Sequence, residues 1–459
     1  MNRILLGTGV ILFSLILKIL LFIMGLKAEQ SGFSPFYSPD SQSYLTASLS
    51  LEKNHSFYAS SSPEIFRTPG YPLFLYLIKQ IHHSSHTIIL IQILISLLSL
   101  YLLFCIVSKF ISEKAAFISS VLYCLDPLSN LYTLKIMPET LFTFFILFFL
   151  QTILLAGKTN QYRHYLLAGI LAAMASYIRP LAQFLILIPC FQSIFLIMKK
   201  HPVRPRLWIN YLIMIGSFYV CIFPWQWRNY KKADYFGMST VTAVNLYFYR
   251  AAAVLAEVKG IDYYSMRKEM GAYDSSIVIE KNPELKNASS GKIASFIEKE
   301  GKNIIFGHLK TYLKIHWQGI IRILLDPGSA EFLKYFGLYK EGSGLLGQCI
   351  SHGVLTALTD LFKTNPILFW LTLFSSPWNF FLAAFTIWFL IKKEFPFEIR
   401  VMVLLFILYF LILSGGPEAT GRFRIPILPV MTMAAGAFLD IMGAKKIKNS
   451  AENAPWNRQ

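Results

Sequence analysis

Charge is scarce in this chain. Only 15% of its residues are Asp, Glu, Lys or Arg, against roughly a quarter in soluble domains. That excludes an ordinary water-soluble globular protein. Cysteine is scarce as well. Of the five present, Cys105, Cys124, Cys190 and Cys221 lie in apolar runs and Cys349 stands alone in a loop. Neither a disulfide framework nor a metal-binding spacing emerges. Internal repeats and low-complexity tracts are absent too. Acid is the rarer sign: 25 Asp and Glu against 43 Lys and Arg give a net charge of +18. Such an excess can mark a nucleic-acid binder. In a chain this apolar, basic cytoplasmic loops beside anionic lipid account for it, and no nucleic-acid partner is expected.

Apolar sequence, by contrast, is abundant. Hydrophobic residues make up 55% of the chain and the mean hydropathy is +0.50. They come in long runs, such as ILLGTGVILFSLILKILLFIMGL (4–26) and HTIILIQILISLLSLYLLFCIV (86–107). About 20 such residues span a bilayer as a helix. The first run lacks a small-residue cleavage site followed by a soluble domain, so it reads as a retained helix rather than a removed signal peptide.

Spans are expected at 4–26, 86–108, 115–131, 139–157, 164–178, 180–198, 207–225, 366–391, 399–414 and 425–443. The fold class is therefore an all-α, polytopic integral membrane protein, a bundle of about 10–12 transmembrane helices. Basic loops set its orientation. KKHPVRPR (199–206), KTNQYR (158–163), IKK (391–393) and KKIK (445–448) all fall inside if both termini are cytoplasmic. Three sections follow: a membrane module at 1–225 with a first outer loop at 27–85, a large extracytoplasmic segment at 226–365, and C-terminal helices with a tail at 366–459. Shorter outer segments are 126–139 and 415–424. Within the outer regions, residues 64–81 suit a helix lying at the interface, and 293–325 suit one or two interfacial helices or part of a further span.

Polar residues at a membrane face are costly unless paired or hydrated, so their placement carries information. Asp40 sits between Tyr37 and Tyr44 in YSPDSQSYL. Arg67 lies in FRTPGYP, where Pro69-Gly70 makes a turn. Glu139 lies in KIMPETLF, Arg179 in YIRP, and Arg422 and Arg424 in GRFRIP. Each has a plain structural explanation. Asp40 can cap a helix starting at Ser41. Arg67 can pair with Glu64. Glu139 can complement a helix dipole. The arginines can anchor helix ends at the headgroups. Taken together, two acids and several arginines on one outer face also suit chemistry on a lipid phosphate. A carboxylate orients or deprotonates a hydroxyl, and arginines hold a phosphate and stabilise it as a leaving group.

The order of motifs resembles the bacterial GT-C glycosyltransferases related to protein O-mannosyltransferases, including the aminoarabinose and galacturonic acid transferases. The matching stretches are SPDSQSYL, RTPGYPLF, MPETLF, IRP, FPWQWRNY, STVTAVNLYFYR and GRFRIPILP. The resemblance covers most of the chain and is weakest over 260–365. It implies a sugar donor on a polyprenyl phosphate, a lipid, glycan or protein acceptor, and inversion at the anomeric carbon. It also implies a multi-pass protein of the cytoplasmic membrane, working on its extracytoplasmic or periplasmic side. Asp40 would be the central catalytic residue, as base or orienting group, with Glu139 the second loop acid. Arg67, Arg179 and Arg422 would hold the donor phosphate, Tyr44 the substrate, and Asn245, Tyr247 and Tyr249 the cavity wall. Many relatives carry two adjacent acids in the first loop, whereas Ser41 follows Asp40 here. No cofactor is implied with certainty, and a divalent metal is left open. The rival expectations are a transporter or flippase of lipid-linked sugars, and a glycan polymerase or ligase.

Overall fold

The structure is a computed structural model that describes residues 3–32, 34–59, 62–199, 206–274, 276–338, 353–364 and 366–452. The basic stretch 200–205 and Cys349 lie outside the described residues. The chain is helical almost throughout. Among the described residues the β structure is one two-stranded hairpin, Tyr58–Ala59 with Ser62–Pro63.

Each expected span falls on helix. Seven helices are long and apolar enough to cross a membrane: Leu6–Gln30, Ser85–Phe110, Glu139–Thr159, Pro180–Met198, Leu207–Ala233, Pro366–Ile391 and Phe397–Ser414. Tyr162–Ile178 has 17 residues, and the apolar part of the last helix, Leu428–Gly443, is also shorter. The expected span 115–131 is corrected. It is two helices, Glu113–Leu125 and Pro127–Thr133, with a break at Asp126. Pro127 disfavours helical backbone at the residue before it. Asp126 adopts an extended conformation and caps the second helix by accepting the Ser129 N–H at 2.7 Å. The break lies thirteen residues before Glu139.

The two segments expected to be interfacial helices are helical as well. Residues 64–81 contain the helix Gly70–Ile81, and 293–325 resolve into two helices, Ser290–Gly307 and Leu309–Leu325. The main core runs from Val10 to Phe438 and includes Ile323 and Tyr335 of the large middle segment. Three further clusters lie within that segment, around Ala251–Met270, around Val278–Ile297, and formed by Ala253, Val254 and Ile315.

One close approach fixes the loop that carries Arg67. The helix Gly70–Ile81 begins against the end of Tyr162–Ile178, where a Cβ on Gly70 would lie 2.6 Å from the Tyr177 carbonyl oxygen. Only glycine permits this contact between two backbones. Gly70→Val should lower the unfolding midpoint of the detergent-purified protein, on the scale of the ~1–3 kcal/mol typical of overpacking. Differential scanning fluorimetry reads this directly, and an unchanged midpoint would contradict the packing described.

Candidate active site

Four loops meet at one end of the bundle. Arg179 closes the helix Tyr162–Ile178, because Pro180 next to it holds its backbone extended (φ −140°, ψ 122°). Glu139 opens the helix Glu139–Thr159 behind Pro138 and is fully buried. The loop carrying Asp40 is tied to the one before Glu139: Ile136 N–H donates to the Phe36 carbonyl at 2.8 Å, and Ser41 Oγ donates to the Ile136 carbonyl at 2.9 Å. The last loop is held by Asp326, whose carboxylate accepts the Gly421 N–H at 2.8 Å and the Gly328 N–H at 2.9 Å.

These ties bring the candidate residues into one continuous charge chain. Asp40 Oδ1 accepts from Arg67 Nη2 at 2.9 Å, and Asp40 Oδ2 accepts from Arg422 Nη1 at 2.8 Å. Arg422 Nε donates to Glu139 Oε1 at 2.5 Å, and Arg179 Nη1 donates to the same oxygen at 3.2 Å. Three arginines and two carboxylates leave a local excess of one positive charge. Arg67 also donates to Tyr44 Oη at 3.1 Å and to Ser43 Oγ at 2.9 Å, and lies 4.3 Å above the Tyr44 ring.

The structural explanations can now be weighed. Asp40 occupies an N-cap position but its side chain makes no capping bond; both of its oxygens face arginines. Glu64 does not pair with the Arg67 guanidinium; it accepts the backbone N–H groups of Phe66 and Arg67 at 2.6 and 2.9 Å. The two arginines of GRFRIP part company. Arg422 joins the charge chain, while the buried Arg424 donates to the carbonyls of Ile323, Leu324 and Asp326, where the helix Leu309–Leu325 ends. Arg228 of FPWQWRNY is likewise a tie, donating to the Glu64 and Phe57 carbonyls.

Burial pushes the Asp40 carboxyl up, but Arg422 and Arg67 outweigh it and hold it at about 2. Burial works against the Arg422 charge, and Glu139 and Asp40 overcome it, so Arg422 stays protonated.

The charge chain lines a cavity of about 520 Å³, with Asp40, Tyr44, Arg67, Arg179, Asn245, Tyr249 and Arg422 on its wall. A second cavity of about 450 Å³ adjoins it across Arg179, Asn245, Glu418 and Phe423, and is bounded by Leu181, Phe184, Met238 and Leu413. Asn245–Ala251 is a π-helix, a rare form often found at functional sites. In this wide helix, residues four apart share a face, so Asn245 and Tyr249 look into the cavity. Tyr247 does not. It packs with the helical clusters behind, which corrects its expected place on the wall.

Sequence reasoning missed Asp326, Ser43 and Glu418. Asp326 acts only through Gly421, 95 residues away, and no local pattern signals that. Glu418 lies four residues before Arg422 in GGPEATGRFR, a spacing that invited attention.

A divalent cation does not fit Asp40 as it stands. Both its oxygens are engaged by arginines, and Ser41 donates to a backbone carbonyl. Among the described residues no cluster of three or more His, Cys, Asp or Glu side chains is arranged to hold a metal.

Comparison with known proteins places this geometry in a family context. Residues 66–227 match the family model described as dolichyl-phosphate-mannose-protein mannosyltransferase. No curated protein sequence matches the chain. Among solved structures, the archaeal oligosaccharyltransferase AglB from Archaeoglobus fulgidus, in complex with an inhibitory peptide and a dolichol-phosphate, aligns with a TM-score of 0.54 at 13% identity. The alignment covers 99% of this chain and 52% of that one. An A. fulgidus oligosaccharyltransferase complex with zinc and sulfate gives a TM-score of 0.53 at 12% identity, over 98% and 52% of the two chains. ArnT from Cupriavidus metallidurans bound to undecaprenyl phosphate aligns at 13% identity over 97% of this chain and 79% of that one, with a TM-score of 0.40. The chain thus spans about half the length of the oligosaccharyltransferases it matches. At these identities the likeness to the oligosaccharyltransferase structures is one of fold alone.

The ion pairs of Asp40 have a pH signature. Its folded pKa of about 2 lies below the ordinary carboxylate value. The pairs therefore stabilise the fold fully above about pH 4, and that contribution is lost as pH falls towards the folded pKa. Asp40→Asn should unfold at a lower temperature than wild type at neutral pH. The gap should narrow steadily through the acid range, as read by thermal unfolding across a pH series.

Proposed function

We propose that the chain is a membrane glycosyltransferase that moves a sugar from a polyprenyl-phosphate donor to a lipid, glycan or protein acceptor. The observation that carries this reading is the chain Arg67–Asp40–Arg422–Glu139–Arg179, which puts Arg67, Asp40, Arg422 and Arg179 on the wall of a cavity, with Glu139 buried behind them, beside a second cavity of mixed apolar and polar lining. The mannosyltransferase family match over residues 66–227 supports the same reading, as does the fold shared with an enzyme solved with a dolichol-phosphate.

The arginines suit the donor phosphate. Their local positive excess attracts it, their planar forks bind its oxygens in pairs, and they stabilise the charge that builds on the phosphate as the sugar leaves. The adjoining cavity offers Leu181, Phe184, Met238 and Leu413 to the first prenyl units. Of the two roles open to Asp40, orientation is the better supported. A carboxyl held at about 2 with both oxygens occupied is a weak proton acceptor. It fixes the facing arginines and offers negative charge to the positive charge developing at the anomeric carbon. Inversion follows if acceptor and phosphate sit on opposite sides of that carbon.

The site is assigned to the extracytoplasmic side of the cytoplasmic membrane. Glu139 is at one end of its 21-residue helix and the basic loop KTNQYR is at the other. Basic loops stay in the cytoplasm, and a helix of that length is about 30 Å long. In a cysteine-free background, Glu280→Cys should react with an impermeant thiol reagent in intact cells and Gln161→Cys should not. The reverse pattern would move the chemistry to the cytoplasm.

Activity is tested with purified protein and polyprenyl-phosphate sugars, with mass spectrometry of envelope lipids and glycans from a deletion strain to identify the acceptor. Asp40→Asn should lower turnover by roughly 10²-fold or more, on the scale of losing a positioned charge in a transition state. Arg422→Ala should weaken donor use, with only partial recovery in Arg422→Lys. Full activity in Asp40→Asn and Arg422→Ala would reduce both to structural ties.

A further inference from the structure

With Asp40 saturated by arginines, the proposed transfer lacks a group to take the acceptor's proton. The carboxylates that line the two cavities are Asp40, Glu298, Asp326, Glu331 and Glu418. Asp326 spends both oxygens on backbone N–H groups. Glu331 spends one on Lys135 at 2.5 Å and the other on Lys334 at 3.0 Å. Glu298 pairs with Lys302 at 2.6 Å on the exposed face of its helix, on the wall of the second cavity.

Glu418 differs from all of these. It is common to both cavities and stands where they meet. One oxygen, Oε1, accepts from Arg250 Nε at 2.9 Å. The other, Oε2, is buried and has no hydrogen-bond partner among the described residues. A buried carboxylate oxygen left without a donor is costly, and its retention beside a cavity asks for a partner that arrives with the substrate. The Gly415-Gly416-Pro417 turn closes over it: a Cβ on Gly416, at φ +143°, would lie 2.6 Å from Oε2. The terminal torsion of a glutamate is broad, so presenting this oxygen to the cavity takes a rotation of the carboxylate, in which Arg250 can bond either oxygen.

We propose that Glu418 is the general base for an acceptor hydroxyl. The proposal rests on the glycosyltransferase reading and deepens it. The step balances as follows. Glu418 Oε2 takes the proton from the acceptor O–H. That oxygen bonds to the anomeric carbon of the sugar. The bond from that carbon to the phosphate oxygen breaks, and its electron pair leaves with the polyprenyl phosphate, whose charge the arginines hold. The nucleophile is thereby specified as a hydroxyl, on lipid, glycan or protein.

The electrostatics agree with this role. Burial pushes the Glu418 carboxyl above its ordinary value, and Arg250 offsets this only in part. Around the pair stand Tyr312, which accepts from Arg250 Nη1 at 3.3 Å, His316, whose ring lies against Gly415, Tyr263, and Arg322, which donates to the Pro417 carbonyl at 3.5 Å. A base must be deprotonated, so transfer should fall as pH drops through the Glu418 pKa.

The test uses the full chain in detergent with a polyprenyl-phosphate sugar and a hydroxyl acceptor, read as a pH–rate profile beside an unfolding midpoint. Glu418→Gln should lower the unfolding midpoint, because the buried Arg250 loses its charged partner; the protein that remains folded should lose roughly 10²-fold or more in turnover and lose the acid limb of the profile. Glu418→Asp keeps the charge and withdraws it by about one methylene. It should keep the acid limb at a rate at least ~10-fold lower, since small misplacements are expensive; it is the decisive variant if the glutamine form unfolds. A Glu418→Gln enzyme at wild-type rate, or one that keeps the acid limb and so traces it to His316, overturns the proposal while leaving the transferase reading intact. Wild-type Glu418→Asp kinetics overturn it as well. A wild-type protein that transfers sugar from no polyprenyl phosphate overturns the transferase reading and this proposal together.

Discussion

Arg422 is the interaction on which the rest of the site depends. Among the described residues it is the one side chain bonded to both carboxylates, to Asp40 at 2.8 Å and to Glu139 at 2.5 Å. Without it the loop carrying Asp40 and the one before Glu139 would each present an acid near apolar protein with one partner fewer. Glu139 is fully buried, and an uncompensated buried charge is among the costliest defects a fold can carry. The bundle therefore closes at this end around a guanidinium, and the loops follow it.

The backbone ties exist to deliver that guanidinium and its partners. Asp326 pins Gly421, next in sequence to Arg422. Phe36 and Ser41 pin the Asp40 loop onto Ile136, three residues before Glu139. Gly70 lets the Arg67 loop rest on the backbone that leads into Arg179. None of these residues carries chemistry. Each converts a packing contact between helices into a fixed position for a charged group, which is how a site gains precision without a rigid sheet beneath it.

A division of labour among similar residues follows from the same geometry. Arg422 and Arg424 are two residues apart, yet one bonds carboxylates at a cavity and the other caps a helix end. Asp40 and Glu418 are both cavity carboxylates, yet one has two arginine partners and is held at about 2, while the other has one partner and a bare oxygen. Two acids whose surroundings push their proton affinities apart are the usual basis for separate roles in one reaction. Charge stabilisation and proton transfer need opposite properties of a carboxylate, and one residue cannot supply both.

Much of this protein was legible without the structure. Hydropathy alone required a bundle of membrane helices, because long apolar runs have no other stable solution in or out of a bilayer. The order of short polar motifs between those runs singled out Asp40, Arg67, Glu139, Arg179 and Arg422 as candidates, although each also had a plain structural explanation. Tertiary structure decided what they do. Pairing between residues 283 positions apart, as for Arg422 and Glu139, leaves no trace in either local sequence. The break at Asp126 turned on a proline inside an otherwise apolar run, and hydropathy averages over it. Tyr247 and Tyr249 look equivalent in sequence, and only the wide turn of Asn245–Ala251 sends one into the cavity and the other into the core. The free oxygen of Glu418 is likewise a property of what surrounds it. A sequence fixes which groups are present and how far apart they lie along the chain; which of them remain unpaired is settled by packing.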